Sequence, residues 1–337
     1  MIRVRTDDFL SLDSVVPILD VRSPGEYETG HIPNALSFPL FSDDDRAIVG
    51  TIYKQESKKE AVKKGLEIIG PKMVDFIEEA EKFNSPKLAI YCWRGGMRSE
   101  SMAWLLGQYG FETILLEGGY KAFRNTLHTF FDQKLPLKVV TGYTGSKKTA
   151  FLHLLKSRGE QVVDLEGLAR HQGSRFGNEK STNQPATEHF QNLVYQEFMT
   201  CDLNKIIWVE DESMRIGQVS LMENFYKQKN ESAHVFIEIE KSQRVEFLIE
   251  DYGALSKEQL SGATQAISKK LGHDNATKAI DAIIENDLKT AVEIILTYYD
   301  RQYHKTISSK EHLIEGHYKI DIKKLDNLAL ELSKRDR

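Results

Sequence analysis

The sequence predicts an α/β chain of two domains, each built on a parallel sheet, with helices following the second sheet. Three observations predict it. The chain has 337 residues, more than a single hydrophobic core comfortably fills. Apolar runs of strand length alternate with segments whose apolar residues recur at helical spacing, as expected of parallel strands joined by crossover helices. A glycine-bearing loop follows an apolar run at two places, residues 92–99 and 142–149, each time ahead of a new helical pattern.

Residues 15–21 (VVPILDV) read as a buried strand and residues 87–91 (KLAIY) as another. Between them, residues 57–69 and 74–83 carry helical periodicity. A helix is expected to begin near Ser99 and a short one to follow Gly118 and Gly119. A new sheet begins near Leu137, which puts the domain boundary at residue 133, giving domains of 1–132 and 133–337. Residues 205–209 (KIIWV) and 234–239 (HVFIEI) are further strands. Residues 242–303 read as helical throughout, so 242–337 is expected to form an appended helical segment. No internal repeat is visible.

Hydrophobic residues make up 40% of the chain and charged residues 28%, which is ordinary for a globular protein, and 8 prolines argue against a long disordered linker. The first residues, MIRVRTDDFL, lack the apolar core of a signal peptide, and no apolar run is long enough to span a membrane, so a cytoplasmic location is expected. A net charge of −5 gives no general basic field for nucleic acid but leaves room for a local basic patch.

Cys92 and Cys201 are the only cysteines, too few for a disulfide framework or a four-cysteine zinc site. Cys92 ends an apolar run and opens CWRGGMRS, in which Trp93, Arg94, Gly95, Gly96, Met97, Arg98 and Ser99 form a loop running into a helix. Inward-pointing amides, the helix N-terminus and the two arginines would all favour an anion there. The bland alternative, an inert buried thiol, is disfavoured by this combination; Cys201 has none of these features and reads as structural. The Cys-x5-Arg spacing also fits a phosphatase loop, in which Arg98 would clamp a phosphoryl group, so the loop alone leaves group transfer and phosphate hydrolysis open.

Residues 142–149 read GYTGSKKT against the Walker pattern G-x-x-x-x-G-K-[ST], so Gly142, Thr144, Gly145, Ser146, Lys148 and Thr149 are candidate phosphate-binding residues. Lys147 stands where the second glycine belongs; it adds charge but is expected to crowd a turn that favours positive φ. Glu210, Asp211 and Glu212 follow an apolar run as a Walker B cluster does and are candidates to hold Mg2+, against the alternative of a solvated strand end. Residues 164–177 (DLEGLARHQGSRFG) group Arg170, His171 and Arg175. With Lys121, Arg124 and Arg215 these are candidate contacts to phosphates or RNA, although a lone charged residue is by default a solvated surface group.

Asp20-Val21-Arg22, Glu26-Tyr27 and Gly30-His31-Ile32-Pro33, followed later by Cys92, resemble the rhodanese family over about the first 125 residues. Residues 40–55 (LFSDDDRAIVGTIYKQ), 91–99, 116–124 (LEGGYKAFR), 142–149, 164–177 and 208–217 (WVEDESMRIG) together resemble the tRNA 2-selenouridine synthases, in the same order along most of the chain. That resemblance implies a rhodanese-like domain fused to a P-loop NTPase-like domain. It further implies a transferase that replaces the 2-sulfur of a thiolated wobble uridine with selenium from selenophosphate, and that geranylates the same sulfur from geranyl diphosphate. Under it Cys92 would be the nucleophile, with Arg98 stabilising the anion, and the P-loop would bind the diphosphate. The expected partners are tRNA bearing 2-thiouridine and an enzyme supplying selenophosphate, with no tightly bound cofactor and no membrane. A phosphatase or sulfurtransferase with an accessory phosphate-binding domain is the alternative, and a binding protein with two degenerate sites is a third reading.

Overall fold

The fold is that of a computed structural model, which describes residues 1–171, 183–253 and 255–335. The chain forms two compact units, Met1–Phe130 with Ala186–Leu193, and Phe131–Pro185 with Val194–Arg337. The short piece Ala186–Leu193 is one that sequence reasoning did not assign to the first unit.

In the first unit, β1 (Ile2–Val4), β2 (Ile18–Asp20), β3 (Leu36–Ser37), β4 (Lys87–Tyr91) and β5 (Glu112–Leu116) form one sheet in the order β1-β5-β4-β2-β3. Every pairing is parallel. Leu88, Ala89, Ile90 and Tyr91 of the central strand are fully buried, as expected where helices cover both faces. The strand expected over 15–21 is shorter: Val16 N donates to Asp13 O in a turn, and Pro17 has no N–H to give a ladder.

Asp20 and Arg22 form a fully buried ion pair at 2.6 Å, and the Tyr91 hydroxyl donates to Asp20 at 2.8 Å. Arg22 also donates to Gly30 O and lies 3.9 Å from the Tyr120 ring centroid. Burial alone would lower the Arg22 pKa, but Asp20 more than compensates and raises it. Two capped helices, Asp43–Gln55 and Lys58–Ile69, pack as a hairpin. Ser42 and Ser57 accept from Asp45 N and Glu60 N, and Asp43, Asp44 and Asp45 suit the positive end of the first helix.

In the second unit, β6 (Leu137–Thr141), β7 (Gln161–Val163), β8 (Ile207–Glu210), β11 (Ala233–Glu238) and β12 (Ile314–Lys319) form a sheet in the order β12-β11-β6-β8-β7. It too is parallel throughout. The short β9 (Arg215–Ile216) and β10 (Val219–Ser220) pair antiparallel. Strand β8 starts later than expected because Lys205 closes a turn onto Asp202 O.

The appended helical segment needs correction. Residues 242–303 divide into the helices Lys241–Tyr252, Lys257–Ala266, Ser268–Leu271 and His273–Ile284, followed by Leu288–Ser309. Gly272 and Asn286 take left-handed conformations at two of the breaks. Strand β12 then adds to the sheet edge, and Leu325, Leu328, Ala329 and Leu332 of the helix Leu325–Arg335 join the core beside Phe151 and Leu155. Among the described residues no helix is long and apolar enough to cross a membrane.

Candidate active sites

Each sheet carries one candidate site at the carboxyl end of a central strand, where open parallel sheets hold ligands. In the first unit β4 delivers Cys92, and the loop 93–96 leads into the helix Met97–Tyr109, two residues earlier than expected. The start of the helix Gly119–Asp132 fixes the loop: Tyr120 N donates to Cys92 O at 2.9 Å and Lys121 N to Trp93 O at 3.0 Å. Gly119 has φ 61°, and a Cβ on it would come within 2.3 Å of Cys92 O and 2.4 Å of Gly95 N. Only glycine fits there.

The Ser99 hydroxyl donates to Cys92 Sγ at 3.2 Å and also lies 3.0 Å from Gly96 O, while Sγ lies 3.8 Å from that same carbonyl. The sulfur thus has an acceptor for a thiol proton and a hydroxyl able to donate to an anion. Cys92 lines a groove of about 520 Å³ with Trp93, Arg94, Gly96, Met97 and Arg98. Arg94 and Lys121 are exposed.

Arg98, expected to stabilise an anion at Cys92, is held by a carboxylate. Its guanidinium makes a two-point ion pair with Glu26, Nη1 to Oε2 at 2.6 Å and Nη2 to Oε1 at 3.3 Å. Burial alone would raise the Glu26 pKa, but the hydrogen bonds and charge of Arg98, helped by Ser23 N and Arg46, bring it below its ordinary value. Arg124 is likewise engaged, donating to Asn192 at 2.7 Å, Gln191 at 2.6 Å and Glu188 O at 3.3 Å.

In the second unit the loop after β6 leads into the helix Lys148–Ser157. Lys147 takes φ 55° and ψ 39°, the left-handed turn that a glycine would supply, and its Nζ lies 4.3 Å from the Phe247 ring centroid. The expected crowding is absent because the side chain leaves the loop toward that ring. Lys148 Nζ donates to Gly142 O at 3.2 Å and lies 5.5 Å from the Tyr303 ring centroid. Burial would lower the Lys148 pKa, yet Tyr303, Glu212, Glu166 and Asp211 raise it. Lys148 pulls the Tyr303 phenol down, but burial and the nearby carboxylates push it up to about 12.

Thr149 donates to Glu166 Oε2 at 2.7 Å. The loop borders a pocket of about 400 Å³ that includes Glu166, Glu212, His171, Phe247, Tyr299 and Tyr303. Ser146 is fully buried, and its hydroxyl has no hydrogen-bond partner among the described residues.

The three acids do not act as one cluster. Asp211 is bound by Lys229 at 3.1 Å and Lys310 at 2.9 Å and accepts from Thr141 at 2.8 Å. Burial would raise its pKa, but those cations hold it well below the ordinary range. Glu210 is buried, its Oε2 accepting from Leu165 N, and burial with neighbouring carboxylates pushes its pKa up. Only Glu212 reaches the pocket, where burial and a hydrogen bond with Glu166 raise its pKa while Lys148 opposes them. Among the described residues no group of three or more His, Cys, Asp or Glu side chains is disposed to hold a metal.

His171 is buried at the edge of this pocket; Arg170 is exposed and donates to Asn183 O at 3.3 Å; Arg215 is exposed on β9; Arg175 lies outside the described residues. Cys201 lies 3.5 Å from Glu197 O, and burial pushes its thiol up, as befits a structural residue. Sequence reasoning missed Phe247, Tyr299 and Tyr303, which no motif marks, passed over Glu166 inside a stretch it had singled out, and quoted Glu26 as a motif residue without pairing it with Arg98.

Residues 135–328 match the family model described as the tRNA 2-selenouridine synthase AAA domain, and residues 7–126 match the rhodanese-like domain. Similar proteins bearing the name tRNA 2-selenouridine synthase include one from Nitrosomonas europaea, 33% identical over 77% of each chain. Another, from Hydrogenovibrio crunogenus, is 31% identical over 89% of this chain and 91% of the relative. A third, from Bdellovibrio bacteriovorus, is 39% identical over 70% of this chain and 64% of the relative.

Proposed function

The chain belongs to the tRNA 2-selenouridine synthase family, and from that membership we propose that it converts wobble 2-thiouridine in tRNA to 2-selenouridine in the cytoplasm, by way of S-geranyl-2-thiouridine. The observation that carries this reading is the Cys92 loop: a sulfur with the Ser99 hydroxyl at 3.2 Å, in a loop whose arginine is held by Glu26. A phosphatase of this loop type needs its arginine free for the phosphoryl group.

In the first step the uridine sulfur attacks C1 of geranyl diphosphate, the C–O bond breaks, diphosphate leaves, and the N3 proton of the base passes to solvent. Lys148, the loop amides and the buried Ser146 hydroxyl would take up its charge. Mg2+ is commonly held by one or two carboxylates together with substrate phosphates, and Thr149, Glu166 and Glu212 would suit that role.

In the second step Cys92 attacks C2 of the base, and the C2–S bond breaks with loss of geranylthiolate. The selenium of selenophosphate, which a separate enzyme supplies, then displaces Cys92 at C2. Loss of the phosphoryl group to water leaves the selenocarbonyl. Exposed Arg94, Lys121 and Arg215 are candidates for tRNA phosphates.

Nucleoside mass spectrometry of 2-thiouridine tRNA, incubated with each donor omitted in turn, tests the order. Geranyl diphosphate alone should give the S-geranyl nucleoside, both donors together 2-selenouridine. Selenation with no dependence on geranyl diphosphate would refute the route.

A further inference from the structure

The hairpin of helices Asp43–Gln55 and Lys58–Ile69 leaves Tyr53, Val62 and Leu66 exposed by 53%, 39% and 59%. These side chains are not scattered. With Phe41 and Val49 they wall the groove that opens on Cys92, while Arg46, Lys54 and Arg94 also border it. The wall is aliphatic and aromatic, and Arg98 within it is taken by Glu26. Along the apolar wall an aliphatic chain would find contacts over its length, while Arg46, Lys54 and Arg94 at its border would suit phosphates.

We propose that this groove holds the aliphatic chain of an S-alkylated 2-thiouridine, with the base over Cys92 and tRNA phosphates against Arg46, Lys54 and Arg94. The inference rests on the reading above that the sulfur is alkylated before it leaves. The volume of about 520 Å³ falls within the roughly 300–1,000 Å³ of small-molecule sites and accommodates a base together with a ten-carbon chain. The arrangement also explains why an alkylated sulfur would be recognised at the cysteine: the chain anchors the leaving sulfur beside the nucleophile.

Binding of tRNA carrying S-geranyl- or S-methyl-2-thiouridine to the full chain, followed by fluorescence anisotropy, reads the groove without requiring turnover. Each buried methylene tightens binding roughly three- to fourfold, so the geranyl form should bind about a hundredfold tighter or more. Leu66→Gln and Val62→Gln, both uncharged changes on exposed helix faces that do not support the core, should each cut that preference, read as the ratio of the two affinities, about tenfold. Equal binding of the two tRNAs by the wild type, or an undiminished preference in both variants, overturns the proposal, as does loss of the preference in Phe247→Glu at the other pocket instead. Selenouridine formation measured in the same samples separates the two ideas. Intact chain preference without exchange sinks the reaction scheme and supports the groove, and intact exchange without chain preference does the reverse.

Discussion

Arg98 Nη1 lies 2.6 Å from Glu26 Oε2, so the arginine of the cysteine loop is already paired with a carboxylate. A guanidinium that donates to both carboxylate oxygens of Glu26 would have to break a largely buried pair to reach a phosphoryl group over Cys92. In this arrangement Arg98 is a strut tied to Glu26, which favours the proposed sulfur chemistry over a phosphoryl clamp.

Glu26→Gln should cost about 1 kcal/mol of stability at neutral pH, because it leaves Arg98 without its carboxylate. The folded-state pKa of Glu26 is lowered from 4.5, so the pair's contribution is fully present above that value and is lost as pH falls through the lowered pKa. Urea unfolding of wild type and variant should show a gap at neutral pH that narrows in acid; a gap that stays constant contradicts the ion-pair account.

Ser99→Ala removes the hydroxyl that donates to Cys92 Sγ at 3.2 Å. A hydrogen bond to a charged group contributes about 1.5–3 kcal/mol, so the Cys92-dependent step should slow by roughly ten- to a hundredfold. Geranylation by the same variant should be unchanged. Equal loss of both steps would mean that Ser99 supports only the fold.

Lys147 holds a left-handed conformation that costs a non-glycine residue roughly 1 kcal/mol, partly offset by the contact with Phe247 at 4.3 Å. Lys147→Gly should be neutral to slightly stabilising in thermal unfolding, whereas Lys147→Ile, β-branched at positive φ, should destabilise clearly. Comparable destabilisation by both would mean that the lysine side chain itself is the main support of the loop.

The parts of the fold legible in the sequence are those that local rules govern. Strand β4 before Cys92, the capped helix after Ser57, and the turn-then-helix after β6 all follow from periodicity, capping and glycine placement. What stayed hidden depends on partners distant in sequence. Arg98 reads as an anion clamp until Glu26, 72 residues away, is seen to hold it. Asp211 reads as a metal ligand until Lys229 and Lys310 close on it. Strand β12, with GHY between apolar Ile314 and the charged Lys319, has a weak strand signal and is held by pairing with β11.

Glu212 has its pKa raised by burial and by Glu166, so the stability linked to its neutral form is present at low pH and is lost as pH rises through the raised value. Glu212→Gln should therefore gain stability over the wild type as the pH is raised. Mg2+ with diphosphate should raise the melting temperature of the wild type more than that of the variant. An identical response of the two proteins would remove Glu212 from the diphosphate site.

Whether the two loops serve two successive reactions on one uridine is read from mass spectrometry of nucleosides formed by Cys92→Ala and Lys148→Ala with both donors. Cys92→Ala should accumulate S-geranyl-2-thiouridine and make no 2-selenouridine, while Lys148→Ala should geranylate poorly yet convert tRNA that already carries the S-geranyl group. Formation of 2-selenouridine by Cys92→Ala, or failure of Lys148→Ala to convert the pre-geranylated tRNA, would contradict the two-step scheme.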